Sequence, residues 1–152
     1  MRKAIALSIQ NVDSGKGGPF AAIVVKDGKI VGQGTNQVTS TNDPSAHAEV
    51  LAIRQACQAL RTFELNGCEL YTTCEPCPMC MALAYWARLD KVYFANTAAD
   101  AAKIGFDDAL IYQQLKLPHE ERSLPLIPIS TMRNEALAAF TAWERKPDKV
   151  RY

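Results

Sequence analysis

Cys74-Glu75-Pro76-Cys77-Pro78-Met79-Cys80 holds three of the chain's five cysteines. Pro76 and Pro78 favour a helix start here, because a proline in the first turn gives up only an N–H that has no intrahelical acceptor. Cys77 and Cys80 are then three positions apart on one helix face, close enough to bind the same metal ion. A thiol at a helix N-terminus also ionises more easily, and the thiolate is the form that binds metals. The stretch therefore predicts a metal site at the start of a helix.

A second part of the pattern lies upstream, at His47-Ala48-Glu49. His47, Cys77 and Cys80 together offer one nitrogen and two sulfur ligands, which suit zinc. Three protein ligands leave a tetrahedral ion with one open position, so we predict one Zn²⁺ per chain with a bound water as its fourth ligand. Glu49, two residues from His47, points elsewhere than the histidine side chain. We interpret Glu49 as a catalytic group that carries protons without touching the metal.

Two other interpretations of the cysteines stay open. A closed structural site would add Cys74 to the three ligands, leaving no open position and no use for Glu49. A redox Cys-x-x-Cys pair is less favoured, because the motif does not lie in a thioredoxin-like context.

Composition narrows the classes of protein. A chain of 152 residues fits one domain. Seventeen Lys and Arg against sixteen Asp and Glu give a net charge of +1, so no global field attracts nucleic acid. No apolar run approaches the roughly 18 residues of a membrane span. The chain has an odd number of cysteines, five, and three of them lie within seven residues, so the pattern does not indicate a set of disulfide bonds. We therefore expect a cytoplasmic protein with reduced cysteines.

The order of elements predicts an α/β fold: a three-layer α/β/α sandwich around a mixed sheet of about five strands. Asp27-Gly28 is a two-residue hairpin signal that makes the first two strands antiparallel. Gly32 and Gly34 in the second strand suggest a bulge or the close approach of another group. The predicted strands cover residues 20–26, 30–38, 68–73 and 91–96, with 124–129 as a possible edge strand.

Periodicity and capping signals place the helices. Ile5, Ile9 and Val12 recur at the spacing of an amphipathic first helix. Asp43 and Pro44 predict the N-cap and first turn of the helix that carries His47, over about residues 46–60. After Gly105-Phe106, one of the adjacent aspartates Asp107 and Asp108 suffices to cap the next helix, which leaves the other aspartate without a structural task.

His-x-Glu followed by Pro-Cys-x-x-Cys is the signature of zinc deaminases, and the chain resembles the cytidine deaminase-like superfamily. Within it, the chain is similar to the bacterial guanine deaminases over nearly its whole length. Outside the zinc motif, the stretches that carry this resemblance are Gly17-Gly18-Pro19-Phe20, Asn36, Thr41-Asn42-Asp43-Pro44, Tyr85-Trp86-Ala87-Arg88, Gly105-Phe106-Asp107-Asp108 and Tyr152.

The resemblance implies a zinc-dependent hydrolase that converts guanine and water to xanthine and ammonia. Carried onto this sequence, Asn36 and the backbone of Ala48 hold the purine edge and Phe20 lines the pocket. Asp108 and Tyr152 close on the base. From the sequence alone, Asn36 is better explained as an edge or turn residue that bonds its own backbone.

Residues 1–152 are predicted to form a single zinc-dependent deaminase domain. The resemblance also implies that two such chains form a homodimer. The C-terminal segment, about residues 131–152, is exchanged between chains in such dimers, so Tyr152 would enter the partner's site. The partners expected are a purine base and a second copy, with no nucleic acid and no membrane.

The main alternative is a transfer-RNA adenosine deaminase, which shares both halves of the zinc motif. It must hold an anticodon loop and so needs a broad basic face. The net charge argues against this, while the basic residues between Arg145 and Arg151 favour it. A deaminase of a related amino-heterocycle or nucleoside is a further alternative, although cytidine deaminases usually have cysteine as the first ligand.

Overall fold

A mixed sheet with strand order β2-β1-β3-β4 forms the centre of the computed structural model, which describes residues 1–151. β1 is antiparallel to both β2 and β3, and β3 is parallel to β4. The strands are β1 (Ala21–Lys26), β2 (Lys29–Thr35), β3 (Cys68–Cys74) and β4 (Lys91–Asn96). The predicted hairpin at Asp27-Gly28 is confirmed, with both residues at positive φ.

The sheet has four strands in the described part of the chain, not about five. Residues 124–129, the possible edge strand, form no strand. Pro125 and Pro128 each lack the N–H that a ladder needs, which is the physical reason for the difference. The second strand also ends at Thr35, because residues 38–41 turn into a short helix.

Helices cover both faces of the sheet, as the three-layer prediction requires. α1 packs on β1 and β3, while α3 and α4 share a core with alternate residues of the same strands, including Ala22, Val24 and Leu70. The helices are α1 (Arg2–Asp13), α2 (Val38–Thr41), α3 (Ala48–Leu60), α4 (Pro78–Trp86), α5 (Ala98–Lys103), α6 (Ala109–Lys116) and α7 (Arg133–Arg145), with 3₁₀ turns at His119–Glu121 and Ser130–Met132.

α3 lies unusually close to β2, and two glycines permit it. A Cβ on Gly32 would overlap the carbonyl oxygen of Ala52 and lie 2.7 Å from the amide nitrogen of Ala56. A Cβ on Gly34 would overlap the carbonyl oxygen of Ala48 in the same way. The predicted close approach is confirmed, and the strand register also shifts between Val24 and Val25.

α1 is a helix, as its periodicity predicted, but its apolar stripe does not face the sheet. Ile5, Ile9 and Val12 are 40%, 57% and 50% exposed. The buried stripe consists of Ala4, Ser8 and Asn11. Small side chains let the helix approach the sheet closely, and the hydrogen bonds of Asn11 described below fix this orientation.

The helix that carries His47 begins later than predicted. α3 starts at Ala48, and His47 is its N-cap. Asp43 is not the cap: its carboxylate accepts hydrogen bonds from the amide and hydroxyl of Ser45, at 2.8 and 2.7 Å. Asp43 and Pro44 therefore form a separate turn before the helix, because a short aspartate side chain bonds equally well within a turn.

The chain folds into two compact units, Met1–Ala109 and a second unit that begins at Leu110. The first contains the sheet, its covering helices and every residue of the metal motif. The second consists of most of α6, the two 3₁₀ turns and α7. Among the described helices, none combines the length and apolar character needed to cross a bilayer.

Candidate active site

His47, Cys77 and Cys80 come together at the end of the sheet. Their ligand atoms all lie within 4.8 Å of one another. Among the described residues, these three side chains form the group that could hold a metal ion. Nδ1 of His47 lies 3.6 Å from Sγ of Cys77 and 3.5 Å from Sγ of Cys80. Nδ1 is therefore the nitrogen that faces the two sulfurs.

These distances fit a zinc ion. Zn–S bonds of about 2.3 Å and Zn–N bonds of about 2.0–2.1 Å at a tetrahedral angle place sulfur and nitrogen about 3.6 Å apart. Both observed separations match that value. Two sulfurs and one imidazole nitrogen are also a donor set that zinc prefers over magnesium or calcium.

Two helix N-termini position the ligands. His47 is the N-cap of α3, and Cys77 is the N-cap of α4, each with extended backbone. Pro78 occupies the first turn of α4, as predicted, and Cys80 follows within the same helix. β3 ends at Cys74 and delivers the chain to this point. The site is thus built where a strand and two helix starts meet.

The charges of the two cysteines differ. Hydrogen bonds from Cys80 and His47 lower the pKa of Cys77 to about 4. The pKa of Cys80 is raised, first because its thiol donates to Cys77 and then because it is buried. The pKa of His47 is raised by its hydrogen bond to Cys77. A divalent cation held by both sulfurs would replace the remaining thiol proton, because metals bind cysteine as the thiolate.

Glu49 lies beside the metal group and is 6% exposed. Its Oε1 accepts a hydrogen bond from the Thr72 hydroxyl at 2.9 Å, and its Oε2 accepts one from the Cys80 thiol at 3.5 Å. Burial raises the pKa of Glu49, while the bond from Thr72 opposes that rise. A carboxyl group with a raised pKa and a fixed orientation suits proton transfer near neutral pH.

Cys74 lies outside the metal group. Its thiol donates to the backbone carbonyl of Thr97 at 3.5 Å, and burial raises its pKa. The closed four-ligand interpretation requires Cys74 as a ligand, and this arrangement does not supply it. The open three-ligand interpretation is the one that the geometry supports.

Asn36 and Phe20 lie next to one another at the end of the hairpin. The amide of Asn36 donates to the carbonyl oxygen of Phe20 at 3.0 Å. The side-chain oxygen of Asn36 accepts from the amides of Gly18 and Val38, each at 3.4 Å. The contact with Val38 is the turn bond that the simpler interpretation of Asn36 expected, so that interpretation is correct without excluding a binding role.

Two more of the predicted substrate contacts belong to α3 and the loop before α6. The N–H of Ala48 is in the first turn of α3, where helix geometry provides no intrahelical acceptor. Asp107 accepts a hydrogen bond from the amide of Ala109 at 2.9 Å, the same local turn bond that Asp43 makes with Ser45. Burial raises the pKa of Asp108, and the negative charge of Cys77 raises it further. Tyr152 lies outside the described residues.

Three further residues contact this region and were not among the predicted site residues. Thr72 is fully buried and bonded to Glu49. Asn11 is buried and bonded to Asn36, and the ring of Phe106 lies edge-to-face on Phe20 with centroids 4.9 Å apart. The sequence indicates Asn11 only through its position, as a polar residue on the same helix stripe as Ala4 and Ser8. Nothing in the sequence distinguishes Thr72 from an ordinary strand residue.

Residues 1–96 match the family model described as the cytidine and deoxycytidylate deaminase zinc-binding region. The chain belongs to this family. It is a zinc-dependent hydrolase that acts on a C–N bond, and the zinc ligands of such an enzyme have their counterpart in the group of His47, Cys77 and Cys80.

Similarity to characterised relatives differs in extent. The guanine deaminase of Bacillus subtilis is 47% identical over all of this chain and 96% of its own length, and its crystal structure superposes with a TM-score of 0.95 over 99% of this chain and 95% of that one. A guanine deaminase structure from Nitrosomonas europaea is 34% identical, with a TM-score of 0.66 over 70% of this chain and 62% of that one. The tRNA-specific adenosine deaminase of Aquifex aeolicus is 49% identical, but over only 51% of each chain.

Proposed function

We propose that this enzyme hydrolyses guanine to xanthine and ammonia. The choice of substrate rests on one observation, the share of this chain that each relative matches. Similarity to a guanine deaminase extends over the whole chain, whereas similarity to a tRNA-specific adenosine deaminase ends after half of it. The family model over residues 1–96 covers the zinc motif, so the motif identifies the reaction, and the full-length similarity to a guanine deaminase favours the substrate.

The residues of the site support a proton-transfer role for Glu49. When bound, zinc lowers the pKa of a water molecule to about 7 and so supplies the nucleophile. The amino group of guanine cannot leave as an anion. As the water oxygen bonds to the ring carbon that bears the amino group, Glu49 takes the first water proton and delivers it to the adjacent ring nitrogen, where it stays. Glu49 then takes the second proton from the hydroxyl group on that carbon and delivers it to the amino group, so that the C–N bond breaks, ammonia leaves and the carbonyl of xanthine forms. The Thr72 hydroxyl holds the carboxylate in one orientation for these transfers.

The predicted substrate contacts Phe20, Asn36, Ala48 and Asp108 belong to the same compact unit as the metal group. Phe20 supplies an apolar wall, and Asn36 and the free N–H of Ala48 supply polar contacts to the purine edge. Asp108, whose pKa is raised, offers a carboxyl group that a proton-bearing ring edge would bind. Tyr152 is proposed to close on the base from the partner chain, in a homodimer that exchanges residues 131–152.

A cytoplasmic location is part of the proposal. All five cysteines are free thiols, and two of them must stay reduced to bind zinc.

Ammonia release from guanine, cytidine and an adenosine-containing RNA stem-loop, measured side by side with the zinc-loaded enzyme, tests the proposal. We expect turnover of guanine, with xanthine as the second product. Glu49→Gln is the control: it should retain zinc and lose about 10²–10⁴-fold in turnover, the usual contribution of a positioned acid–base group. Preference for the RNA would replace guanine by the transfer-RNA alternative.

A further inference from the structure

α1 buries a polar residue that no role assigned above uses. Asn11 is 4% exposed, and both hydrogens of its side-chain amide are engaged. Nδ2 donates to the carbonyl oxygen of Gly18 at 2.9 Å and to the carbonyl oxygen of Asn36 at 2.9 Å. One side chain therefore joins the first helix, the loop that contains Gly17 and Gly18 (the glycine loop) and the residue proposed to hold the purine edge.

The glycine loop also packs directly against Asn36. A Cβ on Gly17 would overlap the carbonyl oxygen of Asn36 and lie 3.2 Å from its Oδ1. A Cβ on Gly18 would lie 3.2 Å from the ring of Phe106. The loop therefore has no room for a side chain at Gly17, and a Cβ at Gly18 would fit only tightly against the Phe106 ring.

This arrangement decides which end of the Asn36 side-chain amide is available. Two backbone donors, from Gly18 and Val38, face one atom of the amide, so that atom is the oxygen. The NH₂ group is the other end, and among the described residues no hydrogen bond occupies it. Asn36 can therefore donate a hydrogen bond to a ligand.

We propose that Asn11 is a positioning residue: together with Gly17 and Gly18 it holds Asn36 so that its NH₂ group donates to an acceptor atom of the purine ring. The orientation of α1 supports this assignment. The helix turns Asn11, with Ala4 and Ser8, towards the protein interior and leaves Ile5, Ile9 and Val12 exposed, so the hydrogen bonds of Asn11 accompany the buried face of α1. The proposal rests on the purine-binding role of Asn36 in the proposed function.

A double-mutant cycle on kcat/KM for guanine tests the proposal, with Asn11→Leu and Asn36→Ala as the single changes. Asn11→Leu keeps the branched shape and the number of side-chain heavy atoms, and it removes both donors. We expect it to raise KM for guanine roughly tenfold, the effect of losing one hydrogen bond, with little change in kcat. In the Asn36→Ala background it should have almost no further effect. An equal effect in both backgrounds would overturn the proposal, because a merely structural residue does not depend on Asn36.

Ser8→Ala is the matched control. Ser8 is buried on the same stripe of α1, but its hydroxyl bonds to Ile5 within the helix, at 2.8 Å. Its kcat/KM should equal that of the unmodified enzyme. Zinc content and Tm are measured for every variant. If Asn11→Leu does not fold, Gly17→Ala takes its place in the cycle, since it displaces the same amide from the loop side.

Asn36→Asp tests the direction of the hydrogen bond. It keeps an oxygen for the amides of Gly18 and Val38 but replaces the NH₂ donor, so it should be at least as impaired as Asn36→Ala. Retention of guanine affinity, measured calorimetrically in the Glu49→Gln background, would overturn the donor role. If the unmodified enzyme deaminates cytidine or the RNA instead, the proposed function fails and the same cycle is run on that substrate. If it deaminates none of the three, both proposals fail.

Discussion

His47 and Cys77 occupy equivalent positions, each as the N-cap of a helix. An N-cap residue has extended backbone, so its side chain projects beside the first turn and not along the helix surface. Both ligands therefore reach the same point from different helices, and Cys80 reaches it from the first turn of α4. Hydrogen bonds from Cys80 and His47 lower the pKa of Cys77, and the positive ends of the two helix dipoles also favour a thiolate at this point.

Substitution of the cysteines should separate the ligands from their neighbour. Cys80→Ala should lose zinc and activity together, because two remaining ligands hold the ion poorly. Cys74→Ala should keep both, because its thiol is bonded to the Thr97 carbonyl and lies outside the metal group. Zinc content by atomic absorption and ammonia release are the measurements. Loss of zinc in Cys74→Ala would instead support a closed site of three cysteines and one histidine.

Thr72→Val should shift the pH dependence of turnover. The hydroxyl of Thr72 stabilises the ionised form of Glu49, opposing the rise in its pKa caused by burial. Without that bond the pKa of Glu49 rises further, so the carboxylate is lost at a higher pH. The acid limb of the pH profile of kcat should therefore move to higher pH. Thr72→Ser keeps the hydroxyl and should keep the original profile; identical profiles for all three enzymes would contradict the role of Thr72.

At the scale of elements, the contact between β2 and α3 controls the position of the site. α3 begins with the residues that carry the chemistry, and its backbone at Ala48 and Ala52 lies directly against Gly34. The glycines of β2 therefore set the depth at which α3 sits on the sheet. A displacement of α3 at this point moves His47 and Glu49 relative to α4 and its two cysteines.

Gly34→Ala should impair the site as well as the fold. Its Cβ would overlap the Ala48 carbonyl and lie 2.7 Å from the Ala52 amide, so α3 must shift. We expect weaker zinc retention against a chelator and lower kcat. Gly28→Ala is the control: Gly28 has φ of 73° with open space around it, so alanine should cost about 1 kcal/mol of unfolding free energy without altering zinc or kcat. Chelator titrations and thermal unfolding distinguish the two; equal zinc retention in both variants would count against this coupling.

At the scale of the whole molecule, much apolar surface is exposed in the single chain. In the first unit, Tyr85 and Phe94 are exposed, and in the second unit Leu124, Ile127 and Phe140 are more than two-thirds exposed. Exposed apolar side chains in such numbers are typical of surfaces that another chain covers. This supports the predicted homodimer, and the exchange of C-terminal segments stays a prediction.

Deletion of residues 147–152 should reduce guanine deamination sharply and leave zinc in place, if the tail completes the active site. Coexpression then separates the two possible arrangements. A Glu49→Gln chain has an intact tail, and a tail-deleted chain has an intact zinc site. With exchange, the mixed dimer recovers activity towards half of one normal pair of sites. A mixture that stays inactive, with mixed dimers shown to be present by mass spectrometry, would exclude the exchange.

Local spacing in the sequence determined the metal ligands, the hairpin and the extent of β4. Each depends on residues a few positions apart or on a motif whose chemistry requires particular side chains. The two halves of the zinc motif are far apart in the chain, but their ligand chemistry allowed them to be joined before the structure was known.

Only the tertiary structure decided which side of α1 is buried, which cysteine is not a ligand, and which residues orient Glu49 and Asn36. These depend on contacts such as Asn11 with Asn36 and Thr72 with Glu49, between residues that are more than 20 positions apart. Helix periodicity favoured Ile5, Ile9 and Val12 as the buried face, because it measures apolar spacing and contains no information about a hydrogen bond to a distant loop. In the same way, proline could weaken the case for a fifth strand, but only the absence of a paired ladder over residues 124–129 excluded it.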